Sequence, residues 1–161
     1  MLNHIMREGV KPVIAFTIGD INGVGPELIL RAFSNKKMLE ICTPIIYGSS
    51  NILSFYKRLL KLNDFSYKAI EDCSQADTRR INLIKCFNKE YEVTPGISTS
   101  EGGEASFLSL KKASKDWVEK KVDALVTGPI NKKNIQNQDF TFPGHTEFLT
   151  ELSGAKNSLM L

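Results

Sequence analysis

The chain has 161 residues, 42% hydrophobic and 24% charged, which is the balance of an ordinary globular protein long enough to bury a core and excludes a disordered tail or a collagen-like fibre. A formal net charge of +3, from 21 Lys and Arg against 18 Asp and Glu, is too small and scattered for a nucleic-acid surface. Three distant cysteines, Cys42, Cys73 and Cys86, form no C-x-x-C pair and argue for a reducing compartment rather than a disulfide framework. No segment approaches the ~20 apolar residues that cross a bilayer. Residues 1–10 carry His4, Arg7 and Glu8 and lack an apolar signal core, so a cytoplasmic protein is expected.

In chain order, residues 11–18 (KPVIAFTI) read as a buried strand rich in β-branched and aromatic residues. The strand stops at Gly19-Asp20, passes through Asn22-Gly23-Val24-Gly25, and gives way to an apolar-striped helix from Pro26 to Phe33. Pro26 suits the first helical position, where its missing N–H costs nothing, and Glu27 complements the positive end of the dipole. The paired lysines Lys36-Lys37 that follow read as solvated surface. Residues 44–47 form the next strand, and Ile52, Leu53, Tyr56, Leu59 and Leu60 follow helical spacing. Residues 65–70 and 81–87 are weaker strand candidates around a polar stretch. Ser98 to Glu101 has the spacing of a capping box, with Ala105, Leu108, Ala113 and Trp117 on the apolar side of the helix behind it. Residues 123–127 (DALVT) form another strand, ended by Gly128-Pro129, and a helix over 147–153 closes at Gly154. This alternation predicts an α/β domain with a mostly parallel or mixed sheet. Ser158, Leu159, Met160 and Leu161 read as the start of a further strand, and an end on an apolar run looks cut.

In open α/β sheets ligands bind outside the C-terminal ends of the strands, and two loops there hold unusual residues. The first, residues 19–27, is neither a P-loop nor a dinucleotide fingerprint. A structural strand-to-helix turn and a binding loop fit it about equally, and Asp20 is a candidate within it. The second runs from Thr127-Gly128-Pro129 through Asn131, Lys132 and Lys133 to Phe142-Pro143-Gly144-His145-Thr146-Glu147. Lys132-Lys133 alone reads as solvated surface, although Lys132 is a candidate by its place in this loop. The start of the following helix offers N–H groups to an anion, and His145 and Thr146 could hydrogen-bond a polar or phosphorylated substrate. On position alone the competing reading is that Thr146 caps the helix and His145 makes a turn contact. His4 and His145 are the only histidines, so no three- or four-ligand metal site arises by local spacing. No serine or cysteine nucleophile has an identifiable activating partner.

Four strings, FTIGDINGVGPEL, GISTSEGGEASFLSL, DALVTGPINKKNIQ and FPGHTEFLTELSG, resemble the N-terminal half of the 4-hydroxythreonine-4-phosphate dehydrogenase family. Ile21-Asn22 stands where that family more often has Pro-Ala, a difference of loop rigidity. The resemblance implies an α/β/α sandwich similar to the isocitrate and isopropylmalate dehydrogenases, incomplete here, with residues 1–161 as the N-terminal portion of a two-domain homodimeric enzyme. It implies oxidation and decarboxylation of 4-phospho-hydroxy-L-threonine to 3-amino-2-oxopropyl phosphate in vitamin B6 synthesis, using NAD or NADP and a divalent metal (Zn, Mg or Co) as Lewis acid. The Gly-His-Thr motif carries over His145 and Thr146 as substrate-binding residues. The family's three metal-binding histidines and its later substrate-site lysine, asparagine and arginine have no counterpart here, which makes the chain an expected inactive fragment with no assigned catalytic residue. Alternatives are a related dehydrogenase of threonate or erythronate phosphate, or a non-catalytic binding domain. A small phosphorylated substrate is the expected partner, with no nucleic acid and no membrane.

Overall fold

The apolar run after Lys11 forms strand β1, Val13–Thr17, in the computed structural model, which describes residues 10–158. Strands β2 (Thr43–Gly48), β3 (Lys68–Ile70), β4 (Asn82–Lys85) and β5 (Ala124–Val126) join it in one parallel sheet of order β3-β4-β2-β1-β5. All six residues of the central strand β2 are buried, as expected of a parallel strand covered on both faces. Helices α1 (Gly25–Ser34) and α3 (Ser50–Leu59) cover one face, where Ile29, Leu30, Phe33, Ile52, Leu53 and Tyr56 pack with Ile46 and Leu83. Helix α4 (Ser100–Val118) lies on the other, with Ala113 against Ala15, Ile45, Tyr47 and Ile84. This alternation along each strand gives the expected three-layer α/β/α arrangement.

Helix α1 starts as its sequence suggests, with Pro26 in the first turn and an i,i+4 pair between Glu27 and Arg31 at 2.7 Å. Helix α3 is capped by Ser49, whose hydroxyl accepts from the Asn51 N–H at 3.2 Å. The capping box expected from Ser98 sits one residue later, because the Thr99 hydroxyl accepts from the Gly102 N–H at 3.0 Å. Ser98 instead accepts from the Asn131 side chain at 3.0 Å. A short helix α2, Met38–Ile41, and a 3-10 turn, Cys73–Gln75, are each about one turn long, too short for a helical period to show in the sequence. Strand β3 is shorter than the 65–70 expected, since Phe65 closes a turn onto the Leu62 carbonyl before the chain extends. Of the strand expected at the end of the chain, residues 159–161 lie outside the described residues, as does His4.

Helix α4 is buried on more than one side. Ala105 contributes to the first core and Ala113 to the second, while Phe107 and Leu110 join Ile135, Phe140 and Phe148 in an aromatic cluster under helix α5, His145–Ser153. Small residues let it lie close to its neighbours: Gly102, Gly103, Ser106, Ser109 and Ser114 are all buried. The Ser109 hydroxyl donates to the Tyr47 carbonyl at 2.6 Å and accepts from the Ile18 N–H at 3.3 Å, bridging two strand ends. At the far end of α4, buried Asp116 accepts from the Tyr47 hydroxyl at 2.8 Å and from Lys121 at 3.3 Å. Burial, then the neighbouring Cys73 and Asp116, drives the Tyr47 phenol far above its usual range. Cys42, Cys73 and Cys86 are free, and burial raises all three thiols, Cys86 to about 12. Among the described residues no helix is long and apolar enough to cross a membrane.

Candidate substrate crevice at the strand ends

The two loops singled out in the sequence leave the C-terminal ends of β1 and β5, which are adjacent strands. They are tied together at once. The Asp20 N–H donates to the Pro129 carbonyl at 2.9 Å, and the Gly128 N–H donates to the Thr17 hydroxyl at 3.0 Å. Gly19 has φ 68°, and a side chain there would overlap the Pro129 carbonyl and the Gly128 backbone. A side chain at Gly25 would likewise strike the Ile18 carbonyl. Gly19 therefore serves loop-to-loop packing and Gly25 the close return of the helix start onto the end of β1, which favours the structural reading of the 19–27 turn over a binding loop.

Asp20 is 6% exposed. Its Oδ1 accepts from the Asn22 N–H and its Oδ2 from the Asn134 side-chain amide, both at 2.9 Å. Asn22, at the position where the sequence departs from the family pattern, is also buried. Its side chain accepts from the Thr94 N–H at 2.8 Å and donates to the Thr99 hydroxyl at 3.0 Å, joining the first loop to the start of α4. An alanine could make neither bond.

Helix α5 begins two residues earlier than the 147–153 expected, with Gly144 as its N-cap and His145 at the first helical position. Gly144 has no side chain to cap the helix, and Thr146 already lies inside it, its carbonyl accepting from the Thr150 hydroxyl at 2.7 Å. The reading in which Thr146 merely caps the helix is therefore replaced. His145 is half-buried, and its Nε2 is buried with no hydrogen-bond partner among the described residues. Such an atom is costly unless a ligand or water completes it. Burial lowers the His145 pKa, and the Lys132 ammonium lowers it further, favouring a neutral imidazole. A Cβ built on Gly144 would lie 3.8 Å from Lys132 Cε and 3.4 Å from a Glu147 carboxylate oxygen. The structure thus gathers His145, Thr146, Lys132 and Glu147 at one helix start, with Lys132, Lys133 and Glu147 exposed and His145 and Thr146 half-buried. Among the described residues no group of three His, Cys, Asp or Glu could hold a metal ion.

Residues 40–161 match the family model described as "Pyridoxal phosphate biosynthetic protein PdxA". The chain belongs to this family. It is 40% identical over 149 residues to the 4-hydroxythreonine-4-phosphate dehydrogenase of Bacteroides thetaiotaomicron, covering 92% of this chain and 41% of that relative. A relative in Oceanobacillus iheyensis, provisionally named a D-threonate 4-phosphate dehydrogenase, is 31% identical over 94% of this chain and 46% of its own length. The crystal structure of a 4-hydroxythreonine-4-phosphate dehydrogenase from Burkholderia phymatum matches with a TM-score of 0.80 at 25% identity, over 92% of this chain and 46% of that one. The chain thus spans somewhat less than half the length of these relatives. Its α/β fold is that of the isocitrate and isopropylmalate dehydrogenases, as expected from the resemblance.

Asp20 and Lys132 are candidates from loop position, and the structure gives Asp20 the Asn134 amide as a neighbour and sets Lys132 beside Gly144. Asn134 went unremarked in the sequence. It lies two residues past Lys132 in a polar run, and only the fold brings it to Asp20.

Proposed function

We propose that this chain forms the substrate-binding wall of a 4-hydroxythreonine-4-phosphate dehydrogenase of the vitamin B6 pathway, with His145 and Thr146 contacting the phosphorylated substrate. The reaction of the whole enzyme is then NAD- or NADP-dependent oxidation of 4-phospho-hydroxy-L-threonine with loss of CO₂, giving 3-amino-2-oxopropyl phosphate. The observation that carries this reading is the buried Nε2 of His145, without a partner among the described residues, within the Gly-His-Thr string of a chain 40% identical to an enzyme of that name. A neutral imidazole offers one donor or one acceptor there, and the Lys132 ammonium supplies positive charge to an anionic substrate.

The described residues do not fit a metal, and their glycine loop packs against protein rather than forming a dinucleotide cradle. Metal and nicotinamide therefore belong, in this proposal, to residues of the complete enzyme outside this chain, which works as a homodimer in the cytoplasm. On this reading residues 1–161 are the N-terminal portion of a two-domain enzyme and do not catalyse alone. The relative provisionally named for D-threonate 4-phosphate supports a second reading, a related 4-phospho-hydroxyacid dehydrogenase.

Calorimetric titration of the 161-residue chain with 4-phospho-hydroxy-L-threonine, D-threonate 4-phosphate and inorganic phosphate separates these readings. The expected result is tightest binding of the first, weakened at least tenfold by His145→Ala. Preference for the threonate ester would transfer the assignment to the second reading. Equal binding by wild type and His145→Ala would remove His145 from the site.

A further inference from the structure

Asp20 is a buried carboxylate to which the proposed chemistry gives no task. Burying a carboxylate costs several kcal/mol unless its oxygens are well paired, and a turn that only had to reverse direction would be served by a neutral residue. The partners of Asp20 are specific. One oxygen holds its own loop through the Asn22 N–H, and the other reaches across to Asn134 of the post-β5 loop, each at 2.9 Å.

Asn134 closes a short turn whose other bonds are local. The Ile135 N–H donates to the Asn131 carbonyl at 3.2 Å, and the Lys133 N–H to the Asn131 side chain at 2.9 Å. Lys132 lies inside this turn, directed toward Gly144 and affecting His145 electrostatically. The side-chain bond from Asn134 to Asp20 is thus an anchor between the turn and the β1 end of the sheet. A second tether, from Asn131 to Ser98, holds the opposite side of the turn.

We infer that Asp20 is a positioning residue: through Asn134 it fixes the 131–134 turn so that Lys132 stands beside His145. Its importance to substrate binding rests on the proposed role of His145, whereas the positioning itself can be measured with no ligand present. An ammonium and an imidazole held side by side suit a single anionic group of the substrate, so a displaced turn would cost affinity without either residue being altered.

The test is an NMR titration of the histidine rings in the 161-residue chain, which has two histidines, with His145 assigned by its loss in His145→Gln. The charged group acting on the ring is Lys132, while the Glu147 carboxylate of its own helix lies beside Gly144. Lys132→Met is expected to raise the His145 pKa. Asp20→Ala and Asn134→Ala, which remove the anchor from either side, should each raise it by a similar shift with circular dichroism unchanged. Adding Lys132→Met to either should then raise it little further. Asp20→Asn provides the conservative rescue: the Asn134 Oδ1, buried without a partner, can accept from the new amide once the Asn134 side chain rotates, and the wild-type pKa should be retained. Should Asp20→Ala fail to fold, Asn134→Ala and Asp20→Asn still decide the matter. A His145 pKa unmoved by Asn134→Ala, or one indifferent to Lys132→Met, overturns the inference. Failure of substrate binding in the calorimetric titration would leave this result standing, so the two ideas fail separately.

Discussion

Gly103→Ala tests how tightly α4 locks the second loop. Inside a helix alanine is favoured over glycine by about 1 kcal/mol, so propensity alone predicts a more stable protein. The structure predicts the reverse. A Cβ on Gly103 would overlap the Asn134 carbonyl and approach the Ile135 nitrogen to 2.9 Å. Backbone obstructs here, so no side-chain rotation relieves the overlap. Overpacking costs typically ~1–3 kcal/mol, and a backbone clash belongs at the upper end. If the shift also breaks the bond from Asn134 to Asp20, a hydrogen bond to a charged group worth about 1.5–3 kcal/mol is lost as well. After the propensity gain, the net loss is about 2–5 kcal/mol. For a chain of this size that lowers the melting temperature by roughly 4–20 °C. Urea and thermal unfolding followed at 222 nm would measure it. Glu104→Ala serves as the control, since it leaves the Asn134 backbone alone and removes an exposed pair with Lys89 and a contact with the Tyr91 phenol, which should cost under about 1 kcal/mol. A Gly103→Ala protein as stable as wild type would refute the reasoning, because the loop would then yield freely to the helix.

Two further predictions concern buried polar groups. Tyr47→Phe deprives the Asp116 Oδ2 of its 2.8 Å donor, leaving that atom a 3.8 Å contact with the Cys73 thiol. The urea midpoint should fall by the equivalent of about 1–3 kcal/mol with the slope unchanged, and an unaltered midpoint would show that water replaces the phenol. For His145, the folded pKa lies below its ordinary value of 6.5, so the unfolded chain takes up the proton first. Its contribution to stability is complete above 6.5 and declines as pH falls from there toward the lower folded value. Unfolding midpoints measured from pH 8 down to 5.5 should show this decline in wild type and less of it in His145→Gln; parallel curves would contradict it.

The larger elements were legible because their signals are local. The apolar run of β1, the proline start of α1 and the glycine close of α5 each appear in the structure within a few residues of their expected positions. The N-terminus of α4 slipped by one residue because Ser98 and Thr99 both suit an N-cap, and the choice lies in which hydroxyl Asn131 occupies. Helix α4 was harder to read because it is buried on several sides, so its small polar residues look like solvent positions in an amphipathic pattern. Within the crevice, His145 and Thr146 stood out through their motif. The link from Asp20 to Asn134 spans 114 positions, and no periodicity or spacing rule reaches across such a distance.

The place of β5 in the sheet has a consequence for biosynthesis. Strand β1 has one edge satisfied early by β2, but its other edge pairs with β5. Strand β5 follows β2 by about 75 residues, so at ~5–20 residues per second of translation the nascent chain exposes an unpaired apolar edge for roughly 4–15 s. Exposed edges of that kind recruit other strands. The loops that build the site are also the ones that flank this late closure, so the site cannot assemble until β5 has left the ribosome.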